Sequence, residues 1–167
     1  MAMADTGLRY QVEYKILPAF DLIGFTKIVK SGGELYREVR EDGRWDTLRR
    51  LGAEDPTIYG VATEVKDCPK GHYRYTIAVK VPGESGMVEV LKEQLFPIHV
   101  EESEWVIFDL NYGTQYGAFW RDNPYAMIKK LGREFNTRLN LHIDAFPMAY
   151  ASDADDMRFM MPVLRPA

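Results

Sequence analysis

Aromatic side chains are the residues of this sequence with the most to offer a ligand. Ten tyrosines, eight phenylalanines and three tryptophans are more than a core of 167 residues requires, so part of the set is expected to line a cavity or an interface. Trp45 and Tyr125 fall on the apolar faces of two expected helices, where packing on a sheet and lining a cleft compete for them. Phe119 and Trp120 close a segment that also holds Tyr112, Gly113, Tyr116 and Gly117. A loop so aromatic is expected to form a cleft wall. Tyr59, Tyr75 and Phe108 lie on expected strands, and a buried tyrosine hydroxyl needs a partner, which a ligand or a water can supply. Glu64, Glu104 and Asp109 also fall on expected strands, where parity alone does not say which points inward. An acid within hydrogen-bond reach of a cleft tyrosine would permit proton transfer. Rings without such an acid permit capture only.

Other chemistries lack their residues. His72, His99 and His142 are far apart, none at metal-ligand spacing from another His, Cys or Asp, and solvent-facing strand positions are expected for them. Cys68 is the only cysteine, which removes an intrachain disulfide and a zinc cluster. The run Asp153-Ala154-Asp155-Asp156 has neither the glycine nor the final glutamate of a calcium loop. With no phosphate loop or nucleophile elbow either, no cofactor and no metal are expected. The net charge of −4, with basic pairs only at Arg49-Arg50 and Lys129-Lys130, gives nucleic acid no footprint and favours the approach of cations. No apolar run approaches membrane-spanning length and no secretory leader opens the chain, so a cytoplasmic location is expected.

A doubled unit must position these residues. Arg40-Glu41-Asp42-Gly43-Arg44-Trp45-Asp46-Thr47-Leu48-Arg49-Arg50-Leu51-Gly52 is echoed without a gap by Trp120-Arg121-Asp122-Asn123-Pro124-Tyr125-Ala126-Met127-Ile128-Lys129-Lys130-Leu131-Gly132. Leu17-Pro18-Ala19 and Phe96-Pro97-Ile98 stand in nearly the same relation. A repeat this long signals two related halves rather than a solenoid, and a seam between halves is a favoured place for a ligand. The halves are expected over about 9–82 and 87–167, with Pro82 to Gly86 between them and a flexible start over 1–8.

Strands are expected at 9–17, 19–29, 58–65, 73–81, 87–91, 94–100, 104–110, 139–150 and 157–164 from alternation and turn residues. Tyr73, Tyr75, Ile77 and Val79 give the clearest alternation. Helices are expected at 43–52 and 124–138, the second opened by Pro124 behind an Asp122 or Asn123 cap, with Tyr125, Ile128, Leu131 and Phe135 as its apolar stripe. Glu34 to Val39 reads as no more than a helical turn. The fold class is α+β: a duplicated strand-helix-strand-strand unit forming a mostly antiparallel sheet, two main helices on one face and a central cleft. An edge strand leaves a homodimer open.

Four stretches carry a resemblance to a known family. They are Ile16-Leu17-Pro18-Ala19-Phe20-Asp21-Leu22-Ile23-Gly24-Phe25, Pro56-Thr57-Ile58-Tyr59-Gly60-Val61, Tyr73-Arg74-Tyr75-Thr76-Ile77-Ala78-Val79 and Phe159-Met160-Met161-Pro162-Val163. In this order and spacing they resemble the gyrase-inhibitory-protein-like (GyrI-like) small-molecule-binding domains, which include the effector-binding domains of AraC-type and MerR-type multidrug regulators. The resemblance implies a module that holds planar, often cationic ligands between aromatic side chains and a buried carboxylate. The family's transcriptional members carry a DNA-binding domain ahead of this module; this sequence departs from them by opening almost directly on the module, so a stand-alone sensing or sequestering module is expected. An aromatic face attracts a cation by ~0.5–2 kcal/mol, and a buried carboxylate selects a charged guest. The family's glutamate, two residues before a tyrosine on the penultimate strand, aligns with Met148 before Tyr150, both candidate cleft residues through that alignment; either another acid substitutes, or a cleft with the adaptable Met148 favours neutral ligands equally. The resemblance also implies two alternatives: hydrolysis of reactive compounds by a cleft tyrosine and an acid, and protein binding of the gyrase-inhibitor kind.

Overall fold

A computed structural model of the chain describes residues 9–52, 55–80, 94–148 and 156–166. The elements run β1 (Gln11–Leu17), β2 (Phe20–Val29), α1 (Gly32–Glu41), α2 (Arg44–Leu51), β3 (Thr57–Thr63) and β4 (Tyr73–Lys80), then β5 (Phe96–Val100), β6 (Ser103–Asn111), α3 (Tyr112–Asp122), α4 (Pro124–Lys130), β7 (Leu141–Pro147) and β8 (Asp156–Val163). The same six-element unit therefore occurs twice, as the repeated motif implies. The fold is α+β, with a helix pair in each unit rather than a single helix. The expected strand at 87–91, the boundary at Pro82–Gly86 and Tyr150 lie outside the described residues.

All eight strands join one antiparallel sheet in the order β1-β6-β8-β7-β3-β4-β2-β5. The order is symmetric about the central β3–β7 pair. The first strand of each unit lies at an outer edge against the second strand of the other, β1 on β6 and β5 on β2.

Alternation along the strands separates two apolar layers. Tyr75, Ile77 and Val79 of β4, Phe108 of β6 and Phe159 of β8 pack under the helices with Leu35, Leu48, Phe119 and Ile128. The opposite face gathers Leu22, Val61, Ala78, Trp105, Ile107, Ile143 and Ala145.

Local chemistry sets the helix ends, and here three expectations change. Ser31 caps α1, its Oγ accepting from the Gly33 N–H, and with Glu34 three residues on it has the spacing of a capping box; the result is a full helix, not a turn. The aromatic segment after Asn111 is also helix rather than loop, since the Asn111 side chain accepts from the Thr114 N–H at 3.0 Å. Asn123 caps α4 through the N–H groups of Tyr125 and Ala126, with Pro124 first in the helix. That helix stops at Lys130, short of the expected 138. The Arg133 N–H bonds to the Ile128 carbonyl and the Gly132 N–H to that of Lys129, a Schellman ending that needs the left-handed φ of +74° at Gly132. Phe135 leaves the helical stripe and bridges to Val163.

The tripeptide match at Pro18 and Pro97 is not a structural one. Pro18 lies between β1 and β2, whereas Pro97 lies within β5, an edge strand where a missing N–H is tolerated.

Candidate ligand-binding cleft

Strand β7 carries the side chain that organises the cleft. Ile143 and Ala145 enter the outer layer, so alternation turns His142, Asp144 and Phe146 toward the helices, where all three line a cavity. Asp144 is only 4% exposed. Its Oδ2 accepts from the Tyr75 hydroxyl at 2.9 Å and its Oδ1 from the Tyr116 hydroxyl at 3.0 Å. The Tyr36 hydroxyl stands 3.5 Å from that of Tyr75, so a Tyr75 proton committed to Asp144 leaves Tyr36 as the donor in that contact.

Glycines make this arrangement sterically feasible. Gly60 faces Asp144 in the β3–β7 register, and a Cβ added there would lie 1.9 Å from the Tyr75 hydroxyl and 2.7 Å from that of Tyr36. A Cβ at Gly32 would meet the Tyr75 ring at 2.9 Å. Since β3 and β7 begin at Thr57 and Leu141, Gly60 and Asp144 are the fourth residues of sister strands. One unit supplies the carboxylate and the other supplies Tyr75 together with the space that its ring and hydroxyl need.

Burial dominates the electrostatics. Desolvation pushes Asp144 up to about 6, with the two tyrosine hydrogen bonds pulling it back down. Burial also raises Tyr75 and Tyr116, and the Asp144 charge adds to both. Burial raises Tyr36 likewise. All three phenols therefore stay protonated and act as donors near neutral pH. His142 is driven down to about 4 by burial, against Trp120 and Phe159 at ring separations of 5.4 and 4.9 Å. It is thus an uncharged wall of the cleft, not the solvent-facing residue expected, because it shares strand parity with Asp144.

The cavity measures about 1240 Å³ and lies between α1 and α3 over β3, β4 and β7. Of the residues expected at a site, Tyr75, Trp120, Tyr125 and Glu64 line it. Trp120 and Tyr125 are 38% and 37% exposed, as open walls are. Other expected residues stand elsewhere. Trp45 is buried below the Arg40 guanidinium, 4.7 Å from its ring. Phe108 and Phe119 are fully buried, ring centres 5.0 Å apart. Tyr59 has the opposite parity to Gly60 and bonds Asp55 on the far face of the sheet. Met148 is buried and packs near Gly52. Glu104 pairs with Arg133 at 2.7 Å, and Arg133 stacks 4.5 Å from the Tyr14 ring. Asp109 faces Arg158 at 3.4 Å.

The acid in the cleft is therefore Asp144, which neither the Met148 alignment nor the choice among Glu64, Glu104 and Asp109 reaches. Its signal was an ionisable residue in the middle of an apolar strand, a rare and costly placement. Among the described residues no cluster of three His, Cys, Asp or Glu side chains could hold a metal ion. No helix among them is long and apolar enough to cross a membrane.

No protein-family model and no curated protein matches the chain. Solved structures do. SAV2435 bound to tetraphenylphosphonium superposes with a TM-score of 0.70 at 14% identity, over 93% of this chain and 94% of that one. The EcmrR C-terminal domain gives 0.66 at 10% identity, over 95% of this chain and 100% of that one. A hydrolase encoded by lin2189 from Listeria innocua gives 0.52 at 12% identity, over 91% of each chain. With the duplicated unit and the eight-stranded antiparallel sheet, these likenesses establish that the chain has the fold of the GyrI-like small-molecule-binding domains.

Proposed function

We propose that the cleft captures aromatic cations without covalent chemistry, as a sensing or sequestering device. Tyr75, Trp120 and Tyr125 serve as its walls, Glu64 lies at its mouth, and Asp144 is the counter-charge. The observation that carries this reading is Asp144 itself: an acid buried between two neutral tyrosine donors, facing an open ring-lined space. A carboxylate there is incompletely neutralised by the protein, so a cation gains from it what a neutral guest does not. Ring burial at roughly 25 cal/mol per Å² supplies the remainder. Tetraphenylphosphonium bound in the similarly folded SAV2435 supports the ligand class.

Titration with tetraphenylphosphonium, read by tryptophan quenching and calorimetry, tests the proposal against neutral triphenylphosphine oxide. The cation is expected to bind at least tenfold tighter to the native chain and to lose that margin in Asp144→Asn. Equal affinity for the two compounds, or a margin that survives Asp144→Asn, overturns the reading.

Hydrolysis has one observation in its favour, the 2.9 Å contact between Asp144 and Tyr75. In that role Asp144 would take a proton from water attacking an electrophilic guest. The tyrosines bound to it are held protonated, which suits donors better than nucleophiles. Time-dependent consumption of a reactive epoxide, abolished in Asp144→Asn, would establish the activity.

A further inference from the structure

The two helices that wall the cleft present unlike faces. On α1, Gly33, Tyr36, Arg37 and Arg40 all line the cavity, and their spacing is that of one helical stripe. Because α1 and α3 begin at Gly32 and Tyr112, the counterparts of Tyr36, Arg37 and Arg40 are Tyr116, Gly117 and Trp120. The tyrosine is kept in both units, and the next two positions differ in kind. One wall bears two guanidiniums where its sister bears a glycine and an exposed indole.

Arg37 is exposed, and among the described residues its guanidinium has no hydrogen bond or ion pair. The acids beside it on α1 are engaged elsewhere or stand too far away: Glu38 pairs with Lys27 and Arg44, and Glu34 and Glu41 lie beyond ion-pair distance. Arg40, one turn on, lies over Trp45. Glu64 is not the missing partner; its charge acts on Tyr125, on the α4 side of the cleft. The cavity thus runs from a carboxylate at its floor to an unpaired cation at the mouth of its α1 wall. A guest that carries only positive charge would satisfy the floor and be repelled at that wall.

We infer that the preferred guest is amphoteric: an aromatic compound whose cationic centre sits over Asp144 and whose carboxylate or other anionic group reaches Arg37. This rests on the proposed function and narrows it from aromatic cations to zwitterions. Arg37 is then a specificity-determining residue, because the guanidinium fork suits a carboxylate and leaves an ester unpaired.

Rhodamine B and its ethyl ester present the same aromatic cation with the carboxylate free or masked. Their affinities can be compared by dye anisotropy. The free acid is expected to bind the native chain about fivefold tighter, the upper range for an exposed ion pair, and the margin should shrink as salt rises. Arg37→Gln should erase it, and Arg37→Glu should reverse it in favour of the ester. Asp144→Asn should weaken both dyes together. Equal binding of acid and ester by the native chain, or a margin that persists in both Arg37 variants, overturns the inference while leaving the cleft reading in place. If neither dye binds, the cleft reading fails and this inference fails with it.

Discussion

The Tyr75 hydroxyl and the Asp144 carboxylate meet at 2.9 Å although 69 residues separate them in the chain. Their meeting joins the two units at the floor of the cleft, because Tyr75 comes from β4 of one and Asp144 from β7 of the other.

Cation binding should depend on pH through Asp144. Its carboxyl titrates at about 6, and only the ionised form neutralises a cation. Affinity for tetraphenylphosphonium is expected to be level above pH 7, to halve near pH 6 and to fall about tenfold per unit below that. Calorimetric titration from pH 4.5 to 8 checks this. Asp144→Asn should flatten the profile at its weak end, and a native profile without a midpoint near pH 6 would remove Asp144 from the mechanism.

Removing a tyrosine donor should move that midpoint upward. The Tyr75 and Tyr116 hydroxyls both stabilise the ionised carboxylate, so Tyr116→Phe and Tyr75→Phe each make Asp144 harder to ionise. At pH 6.5 each variant should bind the cation several-fold more weakly than the native chain, with much of the loss recovered at pH 8. A loss equal at both pH values would show that the phenols act only through contact.

Stability between pH 4 and 6 should reflect two opposed groups. Asp144 is raised from an ordinary 3.8, so its contribution is complete below pH 3.8 and is lost as pH rises through 6. His142 is lowered from 6.5 to about 4, so its contribution is complete above pH 6.5 and is lost as pH falls through 4. In the native chain the slopes offset each other. Asp144→Asn should therefore melt higher as pH rises from 4 to 6.5, and should gain on the order of 1–3 kcal/mol at pH 7 without ligand. His142→Phe should show the reverse slope in the same range. Thermal unfolding across these pH values measures both.

Glycine substitutions should separate space from propensity. Gly60→Ala drives a methyl group into the Tyr75 hydroxyl, which should cost about 1–3 kcal/mol and weaken cation binding. Gly117 lies within α3, and its added Cβ would meet nothing nearer than Arg121 Nη1 at 3.6 Å. Gly117→Ala should stabilise by roughly 0.5–1 kcal/mol. Denaturant unfolding of the two variants gives the contrast directly.

Glu104 should behave as a structural residue. Its partner Arg133 is largely buried, so Glu104→Ala leaves a guanidinium unpaired under the fold, at a cost on the order of 3 kcal/mol. Affinity for tetraphenylphosphonium should be unchanged at temperatures where the variant is folded. A selective loss of binding would bring Glu104 into the ligand's surroundings.

The strands were readable because period-two alternation is local: Tyr73, Tyr75, Ile77 and Val79 show it without help from the rest of the chain. The helix motif containing Trp45 and Tyr125 also survived duplication clearly enough to locate the two units. Helix α3 was harder, since its Tyr-Gly-Thr-Gln-Tyr-Gly opening has weak intrinsic propensity and depends on the Asn111 cap and on packing by Phe119. The cleft's acid was harder still. Which face of β7 turns inward depends on its register with β3 and β8, so a one-residue change of parity would exchange Asp144 for Ile143. Bonds spanning 69 and 28 residues leave no local trace. Trp45, Phe108 and Phe119 were attractive for their type, yet a ring's type does not say whether it faces a cavity or fills a core.

The exchanged outer strands limit how this molecule can move. With β1 hydrogen-bonded along β6, and β5 along β2, either unit excised from the chain would keep a strand meant for its sister and lack the one its sister holds. Spreading the sheet at its midline would leave each clasp whole on its own side and pull instead on the short links at Pro18-Ala19 and Glu101-Glu102, which both cross it. Admission of a bulky guest must therefore come from the helices tilting over a stiff floor.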